Sequence, residues 1–407
     1  MQMEQIRPSC GGPAWHRVAG AVRSLPAAAL LVVAALPVAR PADADGLDDD
    51  GRAFAVASIA RQGALALRLA AGQTDNLKSH LEGLRNDACG PVAVAVSLGE
   101  TDATAAWESL LDADDATRSK TLATPASTKR CANAARAWTG GSLTLANGAP
   151  DTSGRDFQRL ESNLSAGLDA RLGADLAVGL ALGGSNGDTI ESDGRTRGSA
   201  GLGAMAAYAS YHPTASTFAE GAVGAARLEM SDRVVGAGDA LSGHVEHPGL
   251  AGFLTASIGR LDRWGDLKLS PYLKATGQIA RLGETSQTIG TASYREGPQY
   301  AARLSGTVGL DAAMPVRRLP DWIAVEPTAG VEIGYALDDL APTAITASQD
   351  AGAEEIGGSL STSRMLRLDV GTNVTLFQEL SLSLDLETQP IAEGRPKTLR
   401  ISSSWDF

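Results

Sequence analysis

Gly183-Gly184-Ser185-Asn186-Gly187 matches the G-x-S-x-G pattern of a serine nucleophile held on a tight strand-to-helix turn. Such a serine needs a histidine base within reach. The run closes an apolar strand pattern and enters a polar stretch with no helix after it, so a turn is the favoured reading. A barrel esterase is the enzymatic alternative. It could draw on His80, His212, His244 or His247, none with an obvious serine partner. His244-x-x-His247 could bring two imidazoles to a metal, but residues three apart on a strand face opposite sides. Asp338, Asp339, Asp350, Glu354 and Glu355 could bind Ca2+ or the cations that bridge lipopolysaccharide, and a solvated acidic loop is the plainer reading. No catalytic residue, metal site or cofactor is expected.

Cysteine placement and charge narrow the compartment. Arg7, His16, Arg17 and Arg23 precede an apolar run from Leu25 to Ala39, followed by small residues around Ala42-Asp43-Ala44. That order is a secretory signal peptide over residues 1–44, with cleavage after Ala44 and Ala39 as the alternative. An uncleaved anchor helix is disfavoured by the run's length and by Pro26 and Pro37. Removing four Arg and two acidic residues leaves 31 basic against 45 acidic, a net charge near −14, which argues against a nucleic-acid partner. Cys89 and Cys131 remain as an even pair in an oxidising compartment, read as a disulfide within an 87–134 linker. No task is assigned to that linker.

The elements that would position these groups fall into two regimes. Residues 45–86 form a short N-terminus and a helix, with Leu77, Leu81 and Leu84 at i, i+4, i+7, although Gly63, Gly72 and Gly83 oppose it. Beyond Ala134 the period becomes two: Leu380, Leu382, Leu384 and Leu386 alternate with Ser381, Ser383, Asp385 and Glu387. Twelve strands are expected, at about 135–146, 157–172, 175–186, 197–211, 215–230, 243–262, 266–283, 297–315, 322–337, 363–376, 379–389 and 397–407. Short turns at Gly173-Ala174, His212-Pro213-Thr214, Arg263-Trp264-Gly265, 316–321 and Phe377-Gln378 alternate with long polar loops, among them 284–296 and 338–362.

Short turns at one end and long loops at the other predict an all-β fold, a 12-stranded antiparallel transmembrane β-barrel over residues 135–407. A soluble sandwich also alternates, but its turn lengths need not. Asp169, Arg171, Glu326, Glu332, Arg367, Asp369, Asp385 and Glu387 are expected on the lumen face. Trp138, Tyr208, Tyr211, Trp264, Tyr272, Trp322, Phe377, Trp405 and Phe407 are expected as an aromatic girdle near the strand ends.

The last strand carries Leu399, Ile401, Trp405 and Phe407 in alternation and resembles the C-terminal assembly signal of bacterial outer-membrane proteins, Ser403 departing from it. Gln73-Thr74-Asp75-Asn76-Leu77, with Leu81 and Leu84-Arg85, and Arg136-Ala137-Trp138-Thr139-Gly140-Gly141 look like phrases of the autotransporter β-domain family. Leu176 to Gly183 and Leu269-Ser270-Pro271-Tyr272-Leu273 add to the resemblance, which covers about residues 52–407. It implies that the helix occupies the pore, with Asn76, Leu77, Lys78, His80, Leu81, Leu84 and Arg85 in the lumen, and that the barrel carries an upstream passenger to the cell surface. The short stretch before the helix and the long 87–134 segment depart from the family pattern, so a vestigial or missing passenger is expected. Expected partners are outer-membrane lipids and lipopolysaccharide, the barrel-assembly machinery and periplasmic chaperones, with the protein a monomer. An adhesin or passive pore is the alternative function.

Overall fold

The computed structural model describes residues 49–86, 135–148, 157–172, 175–191, 196–235, 242–289, 292–317, 319–320, 322–347, 353–356, 358–376, 380–391 and 395–406. The expected signal peptide, Cys89, Cys131 and Phe407 lie outside the described residues. One helix, α1 (Asp49–Asn86), precedes β1 (Ala135–Gly148), β2 (Phe157–Arg171), β3 (Leu176–Glu191), β4 (Thr196–Thr214), β5 (Thr217–Val235) and β6 (Ser242–Arg260). There follow β7 (Asp262–Trp264), β8 (Leu267–Leu282), β9 (Thr285–Ile289), β10 (Ala292–Glu296), β11 (Gln299–Ala313) and β12 (Ile323–Leu340). The chain ends with β13 (Thr343–Ala347), β14 (Ala353–Ile356), β15 (Ser359–Leu376), β16 (Leu380–Thr388) and β17 (Lys397–Asp406).

Setting aside the three-residue β7, which pairs with β8, twelve antiparallel strands form one sheet that closes on itself. First and last strands meet along a continuous ladder from Arg136↔Asp406 to Leu145↔Lys397. Closure removes the edges that would otherwise expose unpaired backbone. The period-two pattern then sorts the side chains. On β2, Leu160, Leu164 and Leu168 are exposed, the last at 65%, whereas Glu161, Asn163, Ser165 and Asp169 are buried. Exposed leucines and buried carboxylates invert the arrangement of a soluble sandwich and match an apolar belt facing lipid around a polar interior.

Several expected boundaries shift. The Gly183–Gly187 run lies inside β3, which continues to Glu191, so it is neither a turn nor a nucleophile elbow. His212, Pro213 and Thr214 belong to β4, and the turn falls on Ala215-Ser216. The turn expected at Arg263-Trp264-Gly265 falls on Gly265-Asp266, with Arg263 and Trp264 in β7 and Gly265 at φ +64°, a conformation costly for other residues. The loops expected at 284–296 and 338–362 are largely strand: β9, β10, β13 and β14 form a separate four-stranded sheet beyond the barrel rim. The Thr- and Ile-containing runs of β9 and β13 suit a pleated chain, but the sheet depends on β10 pairing with β13, some fifty residues away.

The aromatic girdle is corrected in part. Trp138, Tyr208 and Tyr272 point into the lumen and are at most 4% exposed, while Tyr211, Trp264 and Trp322 stand outward at the short-turn end. The side chains of Phe377, Trp405 and Phe407 are outside those described. Five inward aromatics pair directly with a glycine on the next strand: Trp138↔Gly167, Tyr208↔Gly179, Phe253↔Gly224, Phe218↔Gly259 and Tyr272↔Gly309. A Cβ on any of these glycines would collide with the ring lying over it. Glycine in a strand leaves backbone uncovered, and here the neighbouring ring covers it.

Candidate functional site in the barrel lumen

Helix α1 lies along the barrel interior, bonded to strands on all sides. At the long-loop end, Ser58 Oγ and Gln62 Nε2 donate to Asp232 Oδ2 at 2.7 and 2.9 Å. Gln299 Nε2 of β11 donates to the Ile59 carbonyl at 2.5 Å, and Arg68 Nε to Glu161 at 2.9 Å. At the short-turn end, Arg85 forms a fork on Glu220 at 3.1 and 2.7 Å and reaches Asp311 at 3.3 Å. Its guanidinium also lies 3.8 Å from the centre of the Phe218 ring. The helix therefore starts at the long-loop end and finishes where β1 begins.

The middle of the helix is held by buried charge. Asp75 accepts two bonds from Arg367, at 3.0 and 3.1 Å, and lies 4.0 Å from Arg400. Both arginines reach Glu387, at 2.9 and 3.2 Å. Lys78 Nζ pairs with Glu332 at 2.5 Å, and the same carboxylate accepts from Lys274 and from the Tyr272 hydroxyl, both at 2.6 Å. Isolated buried ions would be too costly, and these alternate in sign so that each meets a counter-charge. Gln73 bridges strands by donating to Ser185 Oγ at 2.7 Å while accepting from Ser165 Oγ at 2.8 Å. Asn76 Nδ2 donates to Ser165 at 2.9 Å. Below them His80 Nε2 meets Asp169 at 2.8 Å and stacks on Trp138 at 4.1 Å. Trp138 Nε1 donates to the Tyr208 hydroxyl, which donates to Asp169.

The residues named from sequence distribute as follows. Asn76, Lys78, His80 and Arg85 contact β2, β12, β2, and β5 with β11; Leu77, Leu81 and Leu84 are buried with them. Asp169, Glu332, Arg367 and Glu387 belong to the network, Glu326 pairs with Lys268 at 2.5 Å, and Arg171 is half-buried. Asp369 and Asp385 lie over Gly330 and Gly371 of the adjacent strands. Leu399 and Ile401 face outward. Of the expected acidic loop, Asp338 is paired with Arg303 on β11, Asp339 sits in β12, Glu354 and Glu355 belong to β14, and Asp350 lies outside the described residues. His247 is buried beside Glu296. Sequence reading gave no lumen role to Asp75 and Gln73, which it named only within a family phrase, and missed Asp232, Glu220, Lys274 and Arg400. The signal for the last two was present, since Lys274 follows outward Leu273 and Arg400 stands between outward Leu399 and Ile401.

A family model described as the autotransporter beta-domain matches residues 137–387. The chain belongs to the autotransporter β-domain family. Among solved structures, it is similar to the translocator domain of the autotransporter NalP from Neisseria meningitidis, with 13% identity, TM-score 0.53, and coverage of 67% of this chain and 88% of that one. The β-domain of the Bordetella autotransporter BrkA matches at 14% identity and TM-score 0.50, covering 67% of this chain and all of that one. No curated protein sequence matches the chain. This autotransporter β-domain is an outer-membrane translocator barrel. Between its helix and the β1–β17 seam lies a small cleft of about 50 Å³, where Ser79 and Gly83 of α1 face Gly140, Gly141 and Ser402.

Proposed function

We propose that α1 is the membrane-resident end of a segment carried outward through the barrel, and that the charged lumen holds it there as a plug. The direction of the helix carries this reading. Its N-terminal part is tied to Asp232 at the long-loop end and Arg85 to Glu220 at the short-turn end, so α1 runs inward from the end read here as the cell surface. Asn86, which ends α1, and Ala135, which opens β1, both lie at the short-turn end, read here as periplasmic. The barrel does no chemistry in this reading: Ser185 serves as a hydrogen-bond partner of Gln73 on the wall. Assembly would engage the barrel-assembly machinery and periplasmic chaperones through the outward Leu399 and Ile401 of β17, and the barrel works as a monomer among outer-membrane lipids.

Deleting residues 52–85 is expected to raise single-channel conductance in planar bilayers severalfold, because nothing else described fills the lumen. The deletion barrel must first show a heat-modifiable band on gels. A folded deletion barrel conducting like the full chain would remove the plug from the account.

A further inference from the structure

On the outward face of β4, β5 and β8, arginines replace the aliphatic residues in the surface-end half. Arg227 and Arg281 occupy one register row across three neighbouring strands, Arg227↔Leu250↔Arg281, and both are exposed. Neighbouring strands are about 4.8 Å apart, which puts their backbones about 10 Å apart. The row continues to Tyr300, an exposed interface residue with the Arg281 guanidinium 5.7 Å from its ring centre. Below the row stand Leu254, Ile279 and Leu304, all exposed.

A second tier stands six residues further out on β5, about 20 Å along the strand. Here Arg197 and Arg233 are directly opposed across β4 and β5. Like charges in that position repel, and Asp188 meets Arg197 at 3.4 Å on the far side from Arg233. Two exposed carboxylates stand between the tiers: Glu229, 3.4 Å from Arg227, and Glu246 of β6, opposite Ser231 of β5. Two cationic tiers above an apolar wall, on a chain of net charge −12, fit an amphiphile with phosphates at the membrane surface and further anionic groups above them.

We propose that this face binds one lipopolysaccharide molecule, with Arg227 and Arg281 on the lipid A phosphates, Arg197 and Arg233 on the anionic inner-core sugars, and acyl chains along Leu254 and Ile279. The proposal rests on the outer-membrane reading. Asp188 and Glu229 would meet the divalent cations that accompany those phosphates.

The test uses the full chain folded in neutral detergent, with lipopolysaccharide binding followed by native mass spectrometry. Wild type should bind the phosphorylated lipid in preference to its enzymatically dephosphorylated form and to phosphatidylglycerol, and inorganic phosphate at equal concentration should not displace it. Arg227→Gln with Arg281→Gln should weaken binding at least tenfold, as expected for loss of charge-assisted bonds. The heat-modifiable band is read in parallel: its absence from wild type would count against the barrel, whereas a folded barrel without phosphate preference would overturn this site alone. Unchanged binding by the folded double variant, or equal competition by phosphatidylglycerol or inorganic phosphate, would also overturn it. If the double variant fails to fold, Arg227→Ala alone decides by the same comparison.

Discussion

Glu332 shows how a single residue can hold helix and wall together. Its carboxylate accepts from Lys78 of α1, Lys274 of β8 and Tyr272 of β8, and its side chain is 2% exposed. Two cations converge on this one anion, Lys78 also reaching Glu82 at 3.3 Å, with Arg367 4.0 Å away as a third. Replacing Glu332 by Gln keeps the shape but leaves Lys78 and Lys274 buried without their shared counter-charge. Breaking such a pair from one side costs about 3–5 kcal/mol. Glu332→Gln is therefore expected to lower the urea midpoint and the temperature at which the folded gel band is lost; unchanged values would show that water already screens the site. Glu332 was legible from alternation alone, because Val331 and Ile333 mark the other face. Asp75 was not, since a helix sequence does not reveal which flank will meet Arg367.

At the scale of elements, leucine spacing alone would suit α1 as a surface helix, whereas the family resemblance implied a pore helix, and α1 is buried on nearly all sides within the barrel. Its leucine face was visible in the sequence, but burial of Gln62, Gln73 and Asn76 follows only from the surrounding wall. Its glycines likewise have different reasons. A Cβ on Gly63 would meet Leu340 and Gln299, and one on Gly72 would strike Asn163, so both let the helix approach the strands. Gly83 faces open space at the seam cleft. The outer sheet was hidden because β10 and β13 are brought together by the barrel, not by local sequence. Glu296 of β10 ties that sheet to the rim. It is fully buried, 3.6 Å from His247 of β6, with Asp232 of β5 and its partner Arg61 of α1 nearby. Burial first, then the Asp232 charge, push its carboxyl from 4.5 up to about 7. The folded protein thus holds a proton that the unfolded chain releases. This contribution is complete below pH 4.5 and is lost as pH rises through about 7. Protease resistance of the outer sheet should fall over that interval, and Glu296→Gln should flatten the change. An unaltered pH profile in the variant would assign the effect to other groups.

For the whole molecule, the decisive property is closure, which no single strand announces. Strand periodicity and turn lengths reveal an even, up-and-down array, but only the β1–β17 ladder turns that array into a cylinder with an inside for α1 to fill. The seam has an unusual make-up for a junction under lipid: small residues Gly140, Gly141, Ser402 and Ser403 meet there. At the pair Thr139↔Ser403 the two hydroxyl oxygens lie 3.4 Å apart, close enough for sulfur atoms in their place to bond with little backbone movement. With the native cysteines replaced by serine, Thr139→Cys and Ser403→Cys should cross-link on mild oxidation of the folded barrel. The bond would join residues 264 apart, so the heat-denatured, non-reduced chain should migrate as a compact loop and regain normal mobility on reduction. Cross-linking only after denaturation, or none in material that retains the folded band, would mean that the first and last strands are not partners. Efficient cross-linking together with wild-type conductance would show that the seam stays shut around the helix in the mature barrel, leaving the lumen, and not the wall, as the place where the plug must move.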